Sequence, residues 1–255
     1  MADALKPRLH SMVVTSATLK DKNGEDWTSA DIFSGARHLD EGPVRFSISS
    51  PYDYAAQTRV FVVTDVKKTD MEQLAAAYRE LFIAAGGGGL GLFTSIQRLR
   101  GVHKRIHKPL SDADMTLYAQ HVDGIDTGTL VDMFRDDTHS CLLGTDAIRD
   151  GVDVPGESLR LIAFDRVPWP RATLLHKARR KVFGGAEYDD RLTRLKLKQA
   201  FGRLIRTATD RGVFVMLDSA IPTRLLDAFP SGVVIERIGI AEAIQKAKDF
   251  LIKEK

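Results

Sequence analysis

The chain has 255 residues, enough to bury a full core as one large domain or two small ones, and its 44% hydrophobic and 28% charged residues are ordinary for a globular protein. No apolar run reaches the roughly 20 residues that span a bilayer, and the single cysteine, Cys141, excludes an internal disulfide and a four-cysteine zinc cluster. The net charge is +3 but uneven: residues 165–211 hold 13 Lys+Arg against 5 Asp+Glu, a local +8, which leaves −5 for the rest and points to a local anionic partner.

In chain order, residues 1–7 show no apolar core of a signal peptide, so the expected compartment is the cytoplasm and no membrane partner is expected. Residues 12–15 read as a short buried strand, 20–41 as polar and irregular, and 44–48 and 59–63 as strands. Residues 70–84 read as a helix with Leu74, Ala77, Tyr78 and Leu81 on one side. There follow strand 90–93, helix 96–107, strand 115–120, a helix around 130–135, and strands 140–143, 159–164 and 213–217. Helix 223–229, strand 233–235 and helix 241–252 close the chain. Alternation with short connections predicts a mainly parallel α/β sheet covered on both faces, preceded by an irregular extension.

Ligands of open parallel sheets collect at the carboxyl ends of the strands. Strand 90–93 runs into Thr94 and Ser95. Ser95 stands where it can N-cap the next helix, whose first N–H groups suit a phosphate; capping alone is the plainer reading. Strand 140–143 runs into Thr145 and then the turn signature Gly151-Val152-Asp153-Val154-Pro155-Gly156. Residues 198–206, KQAFGRLIR, read as an amphipathic helix. At about 100° per residue Gln199, Arg203 and Arg206 share one side, with Leu197, Phe201, Leu204 and Ala208 opposite. Gly202 costs about 1 kcal/mol of helix propensity, which makes sense where a backbone or ligand comes close. Two guanidiniums one turn apart suit a phosphate chain.

Residues 166–181 combine Trp169 between two prolines with His176, Lys177, Arg179, Arg180 and Lys181. A solvated helix and a single-strand track are both open, with Trp169 expected to pack under the loop. Other patterns carry little. Gly86-x-Gly88-x-x-Gly91 precedes a strand and opens no helix, so it is no dinucleotide fingerprint. His103 and His107 have Lys104 where a zinc protease needs Glu, and read as a solvated basic face. Asp189-Asp190 suits a helix N-terminus, and Cys141 reads as inert core.

Together these segments resemble a known family. Q-x-x-G-R-x-x-R at 199–206 resembles motif VI of superfamily 2 helicases, and residues 194–218 look like the C-terminal helicase domain of the DinG/XPD-like branch. Leu-Phe-Thr-Ser at 92–95 resembles motif IV. Gly-x-Asp-x-Pro-Gly at 151–156 resembles motif V, with Asp150 where the family usually has Glu. Thr15-Ser16-Ala17-Thr18-Leu19 resembles motif III, and residues 49–54 are also family-like. The motifs stand in the family's order.

The resemblance implies a RecA-like three-layer domain with a central, mostly parallel sheet. Residues 1–43 would be the end of the first RecA-like domain with a connector, and 44–255 the second. It implies the C-terminal motor domain of an ATP-dependent DNA helicase moving 5′→3′ on single-stranded DNA. Arg206 and Arg203 would be arginine fingers and Gln199 would orient phosphate or water. Gly151, Asp153 and Gly202 would line the nucleotide; Thr94, Ser95 and Thr145, with Arg179 and Arg180, would hold nucleic acid. Thr15, Ser16 and Thr18 would couple the two. The sequence contains no G-x-x-x-x-G-K-[ST], since Leu92 stands where Lys is required, and no Asp-Glu-x-His. ATP and Mg2+ would therefore be held mainly by an N-terminal RecA-like partner domain. No metal site and no iron–sulfur cluster are expected in this chain, and alone it should be inactive. The competing reading is a non-catalytic RecA-like module that binds nucleic acid or protein.

Overall fold

The computed structural model describes residues 10–22, 26–146, 148, 154 and 156–252. The chain divides into two compact units: one comprises Met1–Ser50, Trp169–Lys198 and Thr223–Ser231, the other Pro51–Pro168, Gln199–Pro222 and Gly232–Lys255.

The second unit is built on a seven-stranded sheet. Its strands are β1 (Thr58–Val63), β2 (Gly89–Leu92), β3 (Thr116–Ala119), β4 (Ser140–Gly144), β5 (Leu161–Phe164), β6 (Gly212–Met216) and β7 (Val234–Ile238). Their order is β3-β4-β2-β5-β6-β1-β7, and every pair is parallel. β1, β2, β4, β5 and β6 are apolar runs because both sheet faces are covered. Phe61, Val63, Leu161, Ala163, Val213 and Val215 point to one face, into a core with helices Met71–Ala85, Ile96–Ser111 and Ile240–Leu251. On the other face Phe214 meets Phe164 at 5.5 Å and Phe201 at 6.4 Å between ring centroids.

Local chemistry sets the element ends. The Asp70 carboxylate accepts the Glu72 and Gln73 amides at 3.0 and 3.1 Å, starting helix Met71–Ala85, which Gly86 ends in the left-handed region at φ 67°. Gly89 and Gly91 lie inside β2 because the helix packs onto the bare backbone. A Cβ at Gly89 would meet Phe82 Cδ1 at 2.4 Å, and one at Gly91 would meet Tyr78 Cε1 at 2.9 Å. The glycine run is thus a cap followed by a packing strand. Cys141 is fully buried and burial pushes its thiol up to about 12, which makes it inert.

The other unit holds helices Thr28–Ser34 and Leu174–Val182 and most of Ala186–Phe201. Tyr188, 3% exposed, gathers Phe33, Phe183 and His176 around its ring at 6.5, 5.7 and 5.7 Å. Arg194 makes a bidentate pair with Asp21 at 2.8 and 2.7 Å, and Arg224 pairs with Asp190 at 2.7 Å. Asp189 lies in the first turn of its helix, as its sequence suggests.

Two expected strands do not form. Residues 12–15 and 44–48 are irregular, with Val13, Val44, Phe46 and Ile48 at least 80% exposed. Their apolar patterning fits a strand, but a strand exists only where a neighbour takes its backbone groups, and among the described residues none pairs with them. Within the stretch read as irregular, residues 28–34 instead form a helix ended by Gly35 in the left-handed region.

Candidate functional site at the ends of the strands

Five strands of the sheet end on a row of polar residues. In sheet order these are Gln120 after β3, Thr145 after β4, Thr94 and Ser95 after β2, Asp165 after β5 and Asp218 after β6. Neighbouring strands lie about 4.8 Å apart, so the row is continuous.

Two pairs within the row hold each other, Gln120 with Thr145 and Thr94 with Asp165. Gln120, 4% exposed, accepts the Thr145 amide at 3.0 Å and its hydroxyl at 2.8 Å, and donates to Thr127 Oγ1 at 3.2 Å. The Thr145 hydroxyl proton is thus already committed, and Thr145 would meet a phosphate by trading that bond. Asp165, fully buried, accepts the Thr94 amide at 3.0 Å and Arg98 Nε at 2.5 Å. Burial pushes its carboxyl above the ordinary aspartate range, against the pull of Arg98 and of the Thr94 amide. Asp218 takes Lys68 Nζ at 3.0 Å and the Val167 amide at 3.3 Å. Ser95 occupies the N-cap position of Ile96–Ser111, yet its side chain accepts no bond from the first turn, so the capping reading fails.

The motif VI stretch departs from its expected form. The helix stops at Phe201. Arg203 N and Leu204 N bond back three residues, to the Ala200 and Phe201 carbonyls at 3.1 and 3.0 Å, and the chain then leaves the helix. The cause lies downstream: the Asp210 carboxylate captures the Arg206 and Thr207 amides at 2.7 and 2.8 Å, donors that a continuing helix would have used. Leu197, Phe201 and Leu204 are buried as expected, while Ala208 is exposed. Gln199, Arg203 and Arg206 therefore do not share a helix face. Gln199 sits half-buried in the last turn, Arg203 half-buried in a turn, and Arg206 exposed in a loop. Gly202 is exposed, one residue past the end of the helix. This loop leads into the amino end of β6, whereas Thr94, Ser95 and Thr145 lie at carboxyl ends. The structure thus sets the Arg206 loop at the opposite end of the sheet from Thr94, Ser95 and Thr145.

Gly151 and Asp153, with Asp150, lie outside the described residues. In the other unit Thr15 is exposed, and Ser16 Oγ stands 3.1 Å from Thr18 Oγ1 and accepts the Thr18 amide at 3.2 Å in a local turn. Arg179 and Arg180 are exposed on Leu174–Val182, a helix with no buried residue, and Arg180 Nε donates to Asp189 at 2.6 Å. Trp169, between two prolines, is 41% exposed, so it is not buried under its loop as expected. His103 is half-buried, not solvated, and burial with His107 nearby lowers its pKa. Among the described residues no group of three or more His, Cys, Asp or Glu gathers to hold a metal, and no helix is long and apolar enough to cross a membrane.

Gln57, Arg98, Gln120, Asp165 and Asp210 were not singled out by their sequence. The one visible signal was a polar residue at the end of an apolar strand, as at Gln120, or directly after it, as at Asp165.

A profile of the helicase C-terminal domain matches residues 78–233, more than half of the chain. The ATP-dependent helicase DinG of Mycobacterium tuberculosis is 34% identical over 188 residues, covering 69% of this chain and 28% of that protein. The 3′-5′ exonuclease DinG of Bacillus subtilis is 29% identical over 262 residues, covering 92% of this chain and 27% of that one. The chain thus spans a little over a quarter of these relatives. A solved XPD helicase shares the fold with a TM-score of 0.53 at 16% identity, over 71% of this chain and 35% of that one. Its RecA-like sheet is the α/β architecture expected.

Proposed function

The chain belongs to the helicase C-terminal domain family, and we propose that it is the second motor domain of an ATP-dependent DNA helicase. In this reading residues 1–43 complete a first RecA-like domain and connect it to the second, 44–255. ATP and Mg2+ are gripped mainly by the first domain. Arg206, with Arg203, meets the charge that develops on the transferred phosphoryl group, Gln199 orients phosphate or water, and Gly151, Asp153 and Gly202 line the nucleotide. Thr94, Ser95 and Thr145 hold phosphates of single-stranded DNA, aided by Arg179 and Arg180. Thr15, Ser16 and Thr18 transmit nucleotide state, and alternate closing and opening moves the strand 5′→3′.

The observation that carries this reading is the Arg206 loop. Its backbone is fixed at both the amide and the carbonyl, by Asp210 at 2.7 Å and the Tyr52 hydroxyl at 2.6 Å, while its residue stays exposed. A loop held this firmly presents its charge at little further ordering cost. The reading is tested by mixing this chain with ATP, with and without a purified first RecA-like domain of a DinG helicase. Alone it should hydrolyse nothing above background, because no Walker lysine is in its sequence. Activity that survives repurification and disappears in Arg206→Ala protein would show that the chain grips ATP unaided.

The basic helix supplies a second expected outcome. Arg180 is engaged by Asp189, so Arg179→Glu is the cleaner reversal. It should weaken single-strand binding at all sequences alike and flatten its salt dependence by about 0.7 in log–log slope for each phosphate no longer neutralised. Anisotropy titrations at several salt concentrations measure this; an unchanged slope would make the helix a solvated face.

A further inference from the structure

Three side chains of one short segment reach the motif VI loop from about 150 positions away in sequence. The Gln57 amide nitrogen donates to the Thr207 and Asp210 carbonyls, both at 3.0 Å, so both of its protons are used. The Tyr52 hydroxyl donates to the Arg206 carbonyl at 2.6 Å. The Tyr54 ring lies 6.0 Å from that of Phe201, the last residue of the helix. The segment is itself fixed: Asp53 caps the helical turn Tyr54–Gln57 by accepting the Ala56 amide at 3.0 Å, and Thr58 Oγ1 donates to the Tyr54 carbonyl at 2.5 Å. Gln57 is 8% exposed and Asp210 9%. Asp210 braces the loop from within, taking the Arg206 and Thr207 amides and the Thr207 hydroxyl at 2.6 Å.

We propose that residues 52–57 form a clasp that positions Arg206, with Gln57 as the positioning residue. The inference rests on the arginine-finger reading for its effect on rate, though not for its geometry. The segment is the first stretch of the sheet-bearing unit after Ser50 and leads directly into β1. The clasp therefore ties the loop carrying Arg206 to the point where the chain enters that unit. Glutamine is the residue type this needs: one amide nitrogen turns two diverging N–H groups to two carbonyls, and an ionised glutamate of the same shape has none to give.

The test is Gln57→Glu, with Tyr52→Phe as a milder variant that removes one hydroxyl. In this chain, hydrogen exchange read by NMR should quicken at the Arg206 and Thr207 amides by about tenfold or more, while β6 amides keep their protection. Unchanged exchange at both amides in both variants overturns the clasp. In the enzyme containing both RecA-like domains, Gln57→Glu should lower kcat by about 10- to 100-fold with the KM for ATP within about twofold, as a misplaced group does. In an Arg206→Ala background it should lower kcat no further, because it acts through Arg206. An equal loss in both backgrounds means a general structural role and overturns the proposal. If Arg206→Ala alone leaves kcat unchanged, the finger reading fails, and the exchange data still decide the clasp. Should Gln57→Glu not fold, Tyr52→Phe carries both measurements, with kcat down about two- to threefold.

Discussion

Replacing Arg206 with alanine in an enzyme that joins this chain to the ATP-gripping domain should lower kcat by about 10³–10⁵-fold while ATP binding weakens far less. The asymmetry follows from where the charge is needed. In the proposed enzyme the ground-state triphosphate would be held mainly by the other domain, whereas an arginine finger meets charge that appears only as the phosphoryl group transfers. Its removal therefore falls on the transition state. Arg206 is suited to this because its loop is braced by Asp210 and Tyr52. Arg206→Lys should recover little, since a single ammonium cannot reproduce the planar fork of donors. Steady-state ATPase assays with saturating DNA, together with nucleotide affinity by titration, give the two numbers. A kcat within about threefold of wild type would make Arg206 a surface residue and pass the role to Arg203 or to nothing.

The sheet was legible because its signal is local. β1, β4 and β6 are apolar runs bounded by polar or turn residues, and such runs can be buried on both faces without knowing their neighbours. Residues 12–15 and 44–48 carry a similar signal and fail, because pairing is a property of two segments and only one is in the string. The motif VI helix fails for a related reason. Periodicity runs smoothly through residue 206, but the Asp210 carboxylate competes for the amides that continue the helix, while Tyr52 and Gln57 grip the loop from about 150 positions upstream. Residue types were therefore readable at the candidate site, and their mutual positions were not. The Gln120–Thr145 bond spans 25 positions and the Asp165–Arg98 pair 67, with nothing in either local sequence to announce the partner.

Removing the Asp165 carboxylate should have the largest effect on stability. Asp165→Ala leaves Arg98, whose side chain is 13% exposed, without its carboxylate and the Thr94 amide without its acceptor. Breaking a buried pair from one side costs about 3–5 kcal/mol. The 2.5 Å separation looks like a strong stabilising pair, but burial holds the carboxyl above its ordinary range, so desolvation outweighs the attraction of Arg98. The pair then serves to fix the Thr94–Ser95 turn more than to stabilise the fold. Asp165→Leu combined with Arg98→Met should consequently be neutral or more stable by about 1–4 kcal/mol, while single-strand affinity falls because the turn is no longer held. The sign of the pH effect follows from the raised pKa. A carboxyl that binds its proton more readily folded than unfolded contributes most below the unfolded value, near 3.9. That contribution is lost as the pH rises through the folded value. Wild type should therefore lose stability relative to Asp165→Asn as the pH climbs from about 4. Urea midpoints at constant m, taken across pH for wild type, Asp165→Ala, Asp165→Asn and the double variant, test the three statements on stability, and anisotropy titration tests the one on affinity. An Asp165→Ala protein within about 1 kcal/mol of wild type would mean that water reaches Arg98 and that the pair is not buried in solution.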